Sequence, residues 1–94
     1  RDQIQSRYYL RLTARDVPGV MARVTDLLGR GGISLSAVLQ REASEGEFVP
    51  VVITTHLAKE GAIRQALAEI NKLDVIQTPT TCLRIIDQPK EFES

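Results

Sequence analysis

Cysteine and histidine are scarce in this sequence. The single cysteine, Cys82, cannot form an internal disulfide, so the chain is not a disulfide-stabilised secreted scaffold. The single histidine, His56, has no serine or cysteine nucleophile patterned beside it, and we interpret it as a surface or capping residue at a strand end. One histidine and one cysteine cannot supply the ligands of a zinc or copper site. The sequence therefore predicts no catalytic and no metal-binding residues, and we expect Cys82 to be a small buried apolar residue.

The chain also lacks an excess of charge of either sign and any long apolar run. Twelve basic residues balance twelve acidic ones, which removes the electrostatic attraction that nucleic-acid-binding and membrane-surface proteins use. RNA-recognition modules stack bases on aromatic side chains, whereas the stretch "FVPVVITTH" offers only Phe48. No segment approaches the roughly 20 apolar residues that span a bilayer. We expect small-molecule or protein partners, no nucleic acid, no membrane and a reducing cytoplasmic location.

A length of 94 residues predicts one small domain with a two-layer core. The first residues, "RDQIQSR", are polar and do not begin with methionine, so we expect residues 1–7 to be a linker from a longer chain. The domain itself is predicted at residues 8–87. Residues 88–94 are expected to form a polar tail.

The first half of the domain predicts a strand followed by a helix. Residues 8–15 alternate between apolar and polar side chains, which is typical of a half-buried strand. The apolar face of this strand holds Tyr8, Leu10, Leu12 and Ala14. From Pro18 the apolar spacing changes to three and four residues, which predicts an amphipathic helix with Pro18 in its first turn. The glycines at 29, 31 and 32 are expected to supply the positive φ that ends the helix.

The second half repeats the pattern. Residues 33–40 predict a strand with the apolar face Ile33, Leu35, Ala37 and Leu39. "EASEGE" is the expected turn, and "FVPVVITTH" is β-branched like an inner strand, with Pro50 near its start or at a bulge. A second helix is predicted over residues 59–71, with the apolar stripe Ile63, Ala66, Leu67 and Ile70. Residues 73–87 predict a final strand that Pro79 bends or interrupts.

The order β-α-β-β-α-β is typical of an α+β, ferredoxin-like fold. Its sheet is predicted to be four-stranded and antiparallel, with both helices on one face. The two halves then form a loose repeat of one supersecondary unit.

The turn "DVPG" between the first strand and the first helix is the candidate site. Asp16 can cap the helix by accepting the N–H of Gly19, and this interpretation needs no ligand. A glycine in a first turn, however, lowers helix stability and leaves the backbone bare. The free N–H groups of Gly19, Val20 and Met21 could receive a carboxylate, while Asp16 takes an ammonium group. An α-amino acid carries both charges. Helix capping and ligand binding therefore both remain open as interpretations of this turn.

The stretch "RLTARDVPGVMARVTDLLGRGGISLSAVLQ", followed by a β-branched strand and an amphipathic helix, resembles the ACT domain, a regulatory module of amino-acid metabolism. More narrowly, "SRYYLRL", "GGISLSAVLQRE", "VPVVITTH" and "PTTCLRI" resemble the C-terminal ACT domain of bacterial homoserine dehydrogenases. The likeness covers about residues 6–86.

The resemblance implies a ferredoxin-like fold that binds an amino-acid effector at a subunit interface, with threonine as the feedback inhibitor. It implies that Asp16, Gly19, Val20 and Met21 line one side of the effector site. Ile33 and Ser34 would line the other side, from the same or a partner subunit. Where serine-binding members often carry a histidine, this chain has Ala14. The domain itself would hold no cofactor, whereas NAD(P) is implied for an N-terminal catalytic region missing from this chain.

The predicted second strand indicates self-association. In a ferredoxin-like sheet it lies at an edge, and "ISLSAVL" has neither charge nor proline to discourage pairing with another copy. We expect a homodimer through Ile33, Leu35, Ser36, Val38 and Gln40. The alternative to an amino-acid sensor is a structural dimerisation module without effector binding. A stand-alone enzyme would need a catalytic group that the sequence does not provide.

Overall fold

The computed structural model describes residues 5–40 and 47–85. The elements are β1 (Gln5–Arg15), α1 (Val20–Arg30), β2 (Leu35–Gln40), β3 (Phe48–Thr55), β4 (Ala58–Lys59), α2 (Glu60–Ile70) and β5 (Ile76–Ile85). Three predicted features lie wholly or partly outside the described residues: the start of the linker, most of the "EASEGE" turn, and the polar tail with the last residues of the domain.

The strands form one antiparallel sheet in which β1 is central. The order is β2-β3-β1, and both β4 and β5 pair with β1. Buried side chains of both helices join one core cluster with alternate residues of β1 and β3, so the two helices cover the same face. This confirms the predicted α+β, ferredoxin-like architecture. β2 pairs only with β3 in the described sheet and therefore lies at an edge, as expected.

The core lies between the sheet and the helices. Its largest side chains with almost no solvent exposure are Leu10, Leu12, Val24, Leu28, Val51, Ile53, Ile63 and Ile70. The positions in β1, α1 and α2 were predicted, because apolar residues recur at period two in strands and at three and four in helices. Val51 and Ile53 lie in the stretch that was predicted only to be β-branched throughout. The apolar faces predicted for β1, α1 and α2 are thus confirmed.

The side chain of Thr55 brings a hydroxyl group into this core. Thr55 is fully buried, and its Oγ1 accepts the N–H of Tyr8 at 3.0 Å and donates to the carbonyl of His56 at 2.7 Å. These two bonds satisfy the hydroxyl where β3 turns away from β1. A threonine here therefore costs the core no unpaired polar group.

β1 and α1 begin at residues other than those predicted, each for a visible reason. β1 starts at Gln5, within the segment expected to be a linker, because Gln5 and Ser6 pair with the short strand β4. α1 starts at Val20 rather than Pro18, because Gly19 before it adopts the left-handed conformation, with φ of 86°.

Only one of the three glycines expected to end α1 has a positive φ. That residue is Gly32, with φ of 77°. Gly29 lies inside the helix, and Gly31 has φ of −83°. The prediction of positive φ at Gly29 and Gly31 was wrong, because the helix continues to Arg30 and the chain reverses only at Gly32.

The alternation predicted for β2 is broken by a bulge. The strand starts at Leu35, and its register with β3 shifts between Leu35 and Ala37. Val38 consequently pairs with buried Ile53, whereas Leu39 pairs with Val52 and is 69% exposed on the opposite face. The single apolar face expected for residues 33–40 is therefore wrong, because an extra residue reverses the side-chain direction.

The last strand is irregular, as expected from Pro79. β5 is continuous, but its pairing with β1 shifts between Arg11 and Thr13. Because β5 is a sheet edge, Cys82 is exposed, and the expectation of a buried cysteine was wrong. Desolvation raises the pKa of the Cys82 thiol, and the Glu60 carboxylate raises it further, so the thiol stays protonated at neutral pH.

Candidate functional site

The turn between β1 and α1 is held in place by backbone hydrogen bonds to distant segments. Arg15 N–H donates to the carbonyl of Val75 at 2.8 Å, and Asp16 N–H donates to the carbonyl of Glu47 at 2.7 Å. Val17 N–H closes back on the carbonyl of Arg15 at 2.9 Å. The half-buried Asp16 is therefore positioned by its own main chain.

The residues Val17 to Val20 form a β-turn immediately before α1. Val20 N–H donates to the carbonyl of Val17 at 3.4 Å, and Gly19 at the third position has φ of 86° and ψ of −9°. These angles are those of a type II turn, which takes proline at its second position and glycine at its third. The dipeptide Pro18-Gly19 is a signal for a type II turn, whereas both residues were predicted to lie in the first turn of the helix.

Two expectations for the helix N-terminus change as a result. No side chain caps α1 in the described part of the chain, so the predicted bond from the Gly19 N–H to the Asp16 carboxylate is absent. The Val20 N–H is already engaged in the turn, although its bond is long. Within the described residues, no backbone acceptor pairs with the Met21 N–H. The positive end of α1 thus faces the Asp16 turn with at least one free donor.

The two halves of the predicted site lie at opposite ends of the molecule. Asp16 bonds to Glu47 at the start of β3, whereas the carbonyl of Ser34 accepts the N–H of His56 just beyond the end of β3 at 2.9 Å. Eight residues of β3 separate these ends by about 23 Å. Within one chain, Ile33 and Ser34 therefore do not meet the Asp16 turn.

A second copy would change that arrangement. Antiparallel pairing of two β2 strands about a two-fold axis sets the start of one strand beside the end of the other. The start of β2 follows Ser34, and its end lies at the same end of the sheet as Asp16. Such pairing would bring the Ile33 and Ser34 segment of one copy to the Asp16 end of the other. Ile33 is 96% buried within its own chain, so it would contribute main chain there.

The other residues considered as catalytic or metal-binding candidates do not form a cluster within the described residues. His56 is exposed in the bend after β3, as expected of a surface residue at a strand end. Across residues 5–40 and 47–85, no three His, Cys, Asp or Glu side chains come close enough to hold a metal ion. None of the helices described is both long and apolar enough to cross a membrane.

Two glycine-to-alanine substitutions test the backbone conformation of the turn. Gly19→Ala is expected to lower the free energy of unfolding by about 1–2 kcal/mol, because an alanine with φ of 86° is strained although open space surrounds its Cβ. Gly29→Ala also has open space around its Cβ but lies inside α1, so it should stabilise the domain by about 0.5–1 kcal/mol. Thermal unfolding followed by circular dichroism checks both changes. Equal shifts in the same direction would contradict the left-handed assignment of Gly19.

Comparisons with known proteins assign the chain to a family. The sequence model of the ACT domain matches residues 8–75. The chain is 44% identical to a homoserine dehydrogenase from Methylobacillus glycogenes and 37% identical to one from Pseudomonas aeruginosa, over 88% and 86% of its length. It covers only 20% and 19% of those two proteins, so it spans about a fifth of the curated relatives that it matches.

A solved structure agrees with these matches. The crystal structure of a homoserine dehydrogenase from Thiobacillus denitrificans superposes with a TM-score of 0.81 and 32% identity, over 92% of this chain and 19% of that one. The match to the family extends from the core position Tyr8 in β1 to Val75 before β5 and includes the Asp16 turn. The chain belongs to the ACT domain family.

Proposed function

We propose that this chain is the amino-acid-binding regulatory domain of a homoserine dehydrogenase and that its effector is threonine. The observation that carries the proposal is the Asp16 turn at the positive end of α1, held by hydrogen bonds to Glu47 and Val75. The family match and the homoserine dehydrogenase relatives support the assignment. Homoserine dehydrogenation with NAD(P) would belong to a catalytic region outside this chain, to which residues 1–7 connect, in the cytoplasm.

The proposed binding mode uses opposite charges at one end of the sheet. The Asp16 carboxylate takes the ammonium group of the amino acid. The carboxylate of the amino acid lies at the positive end of α1, beside the Gly19 and Val20 main chain, where the Met21 N–H donates and the open space around Gly19 leaves room for a close approach. An amino acid fits this pair because its two charged groups are a few ångströms apart.

A second subunit completes the proposed site. Pairing of two β2 strands places the Ser34 segment of the partner near the Asp16 turn, where the Ser34 hydroxyl can bond the polar side chain of threonine. A ligand held between two subunits favours the arrangement of the dimer in which both halves of the site are in contact. β1 leads directly from residues 1–7 to Asp16, so a shift between subunits can reach the catalytic region along one strand.

Calorimetric titration of the 94-residue chain with threonine tests the proposal, with serine, isoleucine and methionine as comparison ligands. Saturable heat is expected with threonine, and Asp16→Ala should weaken binding at least about tenfold, because a charge-assisted bond contributes about 1.5–3 kcal/mol. The matched control is Asp26→Ala, which removes an exposed carboxylate of α1 that pairs with Arg30 at 2.9 Å. Thermal unfolding of each variant shows whether the fold is intact.

A structural dimerisation module is the second candidate. The observation that favours it is the type II turn, which explains Pro18 and Gly19 by backbone conformation alone. This candidate predicts a stable dimer that gives no heat with any of the four amino acids and no rise in melting temperature. That result would overturn amino-acid sensing and leave the fold and family unchanged.

A further inference from the structure

The face of the sheet opposite the helices exposes several apolar side chains. Leu39 on β2 is 69% exposed, and Leu83 on β5 is 57% exposed. Between them, half-buried Tyr9 on β1 and Val52 on β3 continue the apolar surface. Neither helix reaches this face, because both pack against the buried residues of the other face.

The charged side chains of the described strands are all basic. None of the strands contains aspartate or glutamate, although the whole chain has twelve acidic residues. β1 carries an arginine at every fourth position, Arg7, Arg11 and Arg15. Side chains four residues apart in a strand point to the same side, and this side is the open face because Tyr8, Leu10, Leu12 and Ala14 between them are buried on the other. A row of three guanidinium groups therefore crosses the middle of the open sheet.

The central arginine differs from its neighbours in the row. Arg15 lies over the ring of Phe48, 4.8 Å from its centroid, and Arg7 Nε donates to the carbonyl of Thr55 at 3.5 Å. Arg11 is exposed and makes no ion pair within the described part of the chain. It lines an open groove of about 430 Å³ together with Tyr9, Leu39, Gln40, Pro50 and Val52. A guanidinium in an apolar groove favours a partner that brings a carboxylate and apolar side chains together.

A second copy of the chain does not meet that requirement. A second copy presents the same open face, whose strands contain no aspartate or glutamate, so stacking two of these faces offers no carboxylate to Arg11. The chain spans about a fifth of the relatives that it matches, so a full-length polypeptide of their size holds about four times as much additional chain that could supply a partner for this face.

We propose that the open face of the sheet, with Arg11 at its centre, binds an acidic segment of the remainder of the full-length polypeptide, in which carboxylates alternate with apolar side chains. This inference rests on the proposed function, because it takes the chain to be one domain of a larger enzyme. β1 then ends at the proposed effector site, the Asp16 turn, and its side chains on the open face contact the rest of the enzyme. The strand that leads into Asp16 is thus also the strand through which the domain contacts the rest of the enzyme.

Hydroxyl-radical footprinting of the 94-residue chain and of the full-length polypeptide tests the contact. Leu83 is the main reporter because it lies on the open face at the edge away from β2, so pairing of β2 strands does not cover it. Leu57 is the matched control, because it is 61% exposed but lies in the bend between β3 and β4. In the full-length polypeptide, oxidation of Leu83 should fall about fivefold or more, as expected for the core of an interface, while that of Leu57 stays unchanged.

Two variants of the full-length polypeptide test the charge. Arg11→Glu should restore the oxidation of Leu83, because the carboxylates of the segment would then face a like charge. Arg23→Glu, which changes an exposed arginine of α1 on the other side of the molecule, should leave the protection in place. Circular dichroism of both variants confirms folding, and Arg11→Gln provides a milder change with the same expected direction.

Three outcomes would overturn the inference. Equal oxidation of Leu83 in the short chain and the full-length polypeptide would leave the open face without an intramolecular partner. Protection that depends on the concentration of the 94-residue chain would assign the face to a second copy. Protection of Leu83 that persists in the Arg11→Glu variant would show that charge complementarity does not hold the segment on the open face. Threonine titration is independent of all three, so a failure here is distinguishable from a failure of the proposed function.

Discussion

Replacing Leu10 with alanine is expected to lower the free energy of unfolding by about 2–5 kcal/mol. Leu10 is fully buried near the middle of β1, opposite Ile53 on β3 and Cys82 on β5. Truncation removes apolar contacts with the helices and leaves a cavity that the hydrogen-bonded central strand cannot close by moving. Urea unfolding followed by circular dichroism should show a lower midpoint with an unchanged slope.

Leu39→Ala is the matched control for this change. It removes the same atoms from a leucine that is 69% exposed, so its effect should stay within about 0.5 kcal/mol. Leu10 and Leu39 were both predicted to lie on apolar strand faces. They are nevertheless expected to differ several-fold in their contribution to the free energy of unfolding. Equal losses for the two variants would contradict the assignment of Leu39 to the open face and, with it, the bulge in β2.

Leu10 and Leu39 show how far the sequence predicts the fold. In β1 the apolar period of two continues without a break, so the buried face could be assigned residue by residue. In β2 the same period was present, but the bulge between Leu35 and Ala37 reversed it. The bulge leaves no signal in the sequence near Ser36. Its extra residue is fixed by pairing with β3 and not by a residue type that favours bulges. Strand existence was therefore predictable from local pattern, whereas the direction of side chains beyond the bulge was not.

The candidate site was predictable in a similar, partial way. The sequence "DVPG" predicted a turn at the start of a helix, and the structure has a turn there. The turn is held by a bond from the Asp16 N–H to the carbonyl of Glu47 and one from the Arg15 N–H to the carbonyl of Val75. Both acceptors are distant in sequence, and they show no recognisable pattern because only their carbonyl groups take part. The missing cap follows from the same geometry, since the turn between Asp16 and Val20 sets the backbone at Gly19.

Replacing Val38 with lysine is expected to convert a dimer into a monomer. Val38 lies on the edge strand β2 and is 42% exposed although it pairs with buried Ile53, so pairing of two β2 strands would bury it further. A lysine there places a charge at the proposed two-fold contact, which is how natural edge strands discourage pairing. Sedimentation equilibrium should give twice the chain mass of 10.4 kDa for the unchanged chain and the single mass for the variant.

Leu83→Lys is the control for Val38→Lys, because it introduces the same charge at an exposed apolar position on the opposite edge strand, β5. It should leave the mass of the 94-residue chain unchanged. Val38→Lys should also abolish the heat of threonine binding although Asp16 is untouched, because Ser34 reaches the Asp16 turn only from a partner subunit. A monomeric variant that still binds threonine with unchanged affinity would show that one subunit forms the whole site. A variant that remains a dimer would rule out pairing through β2.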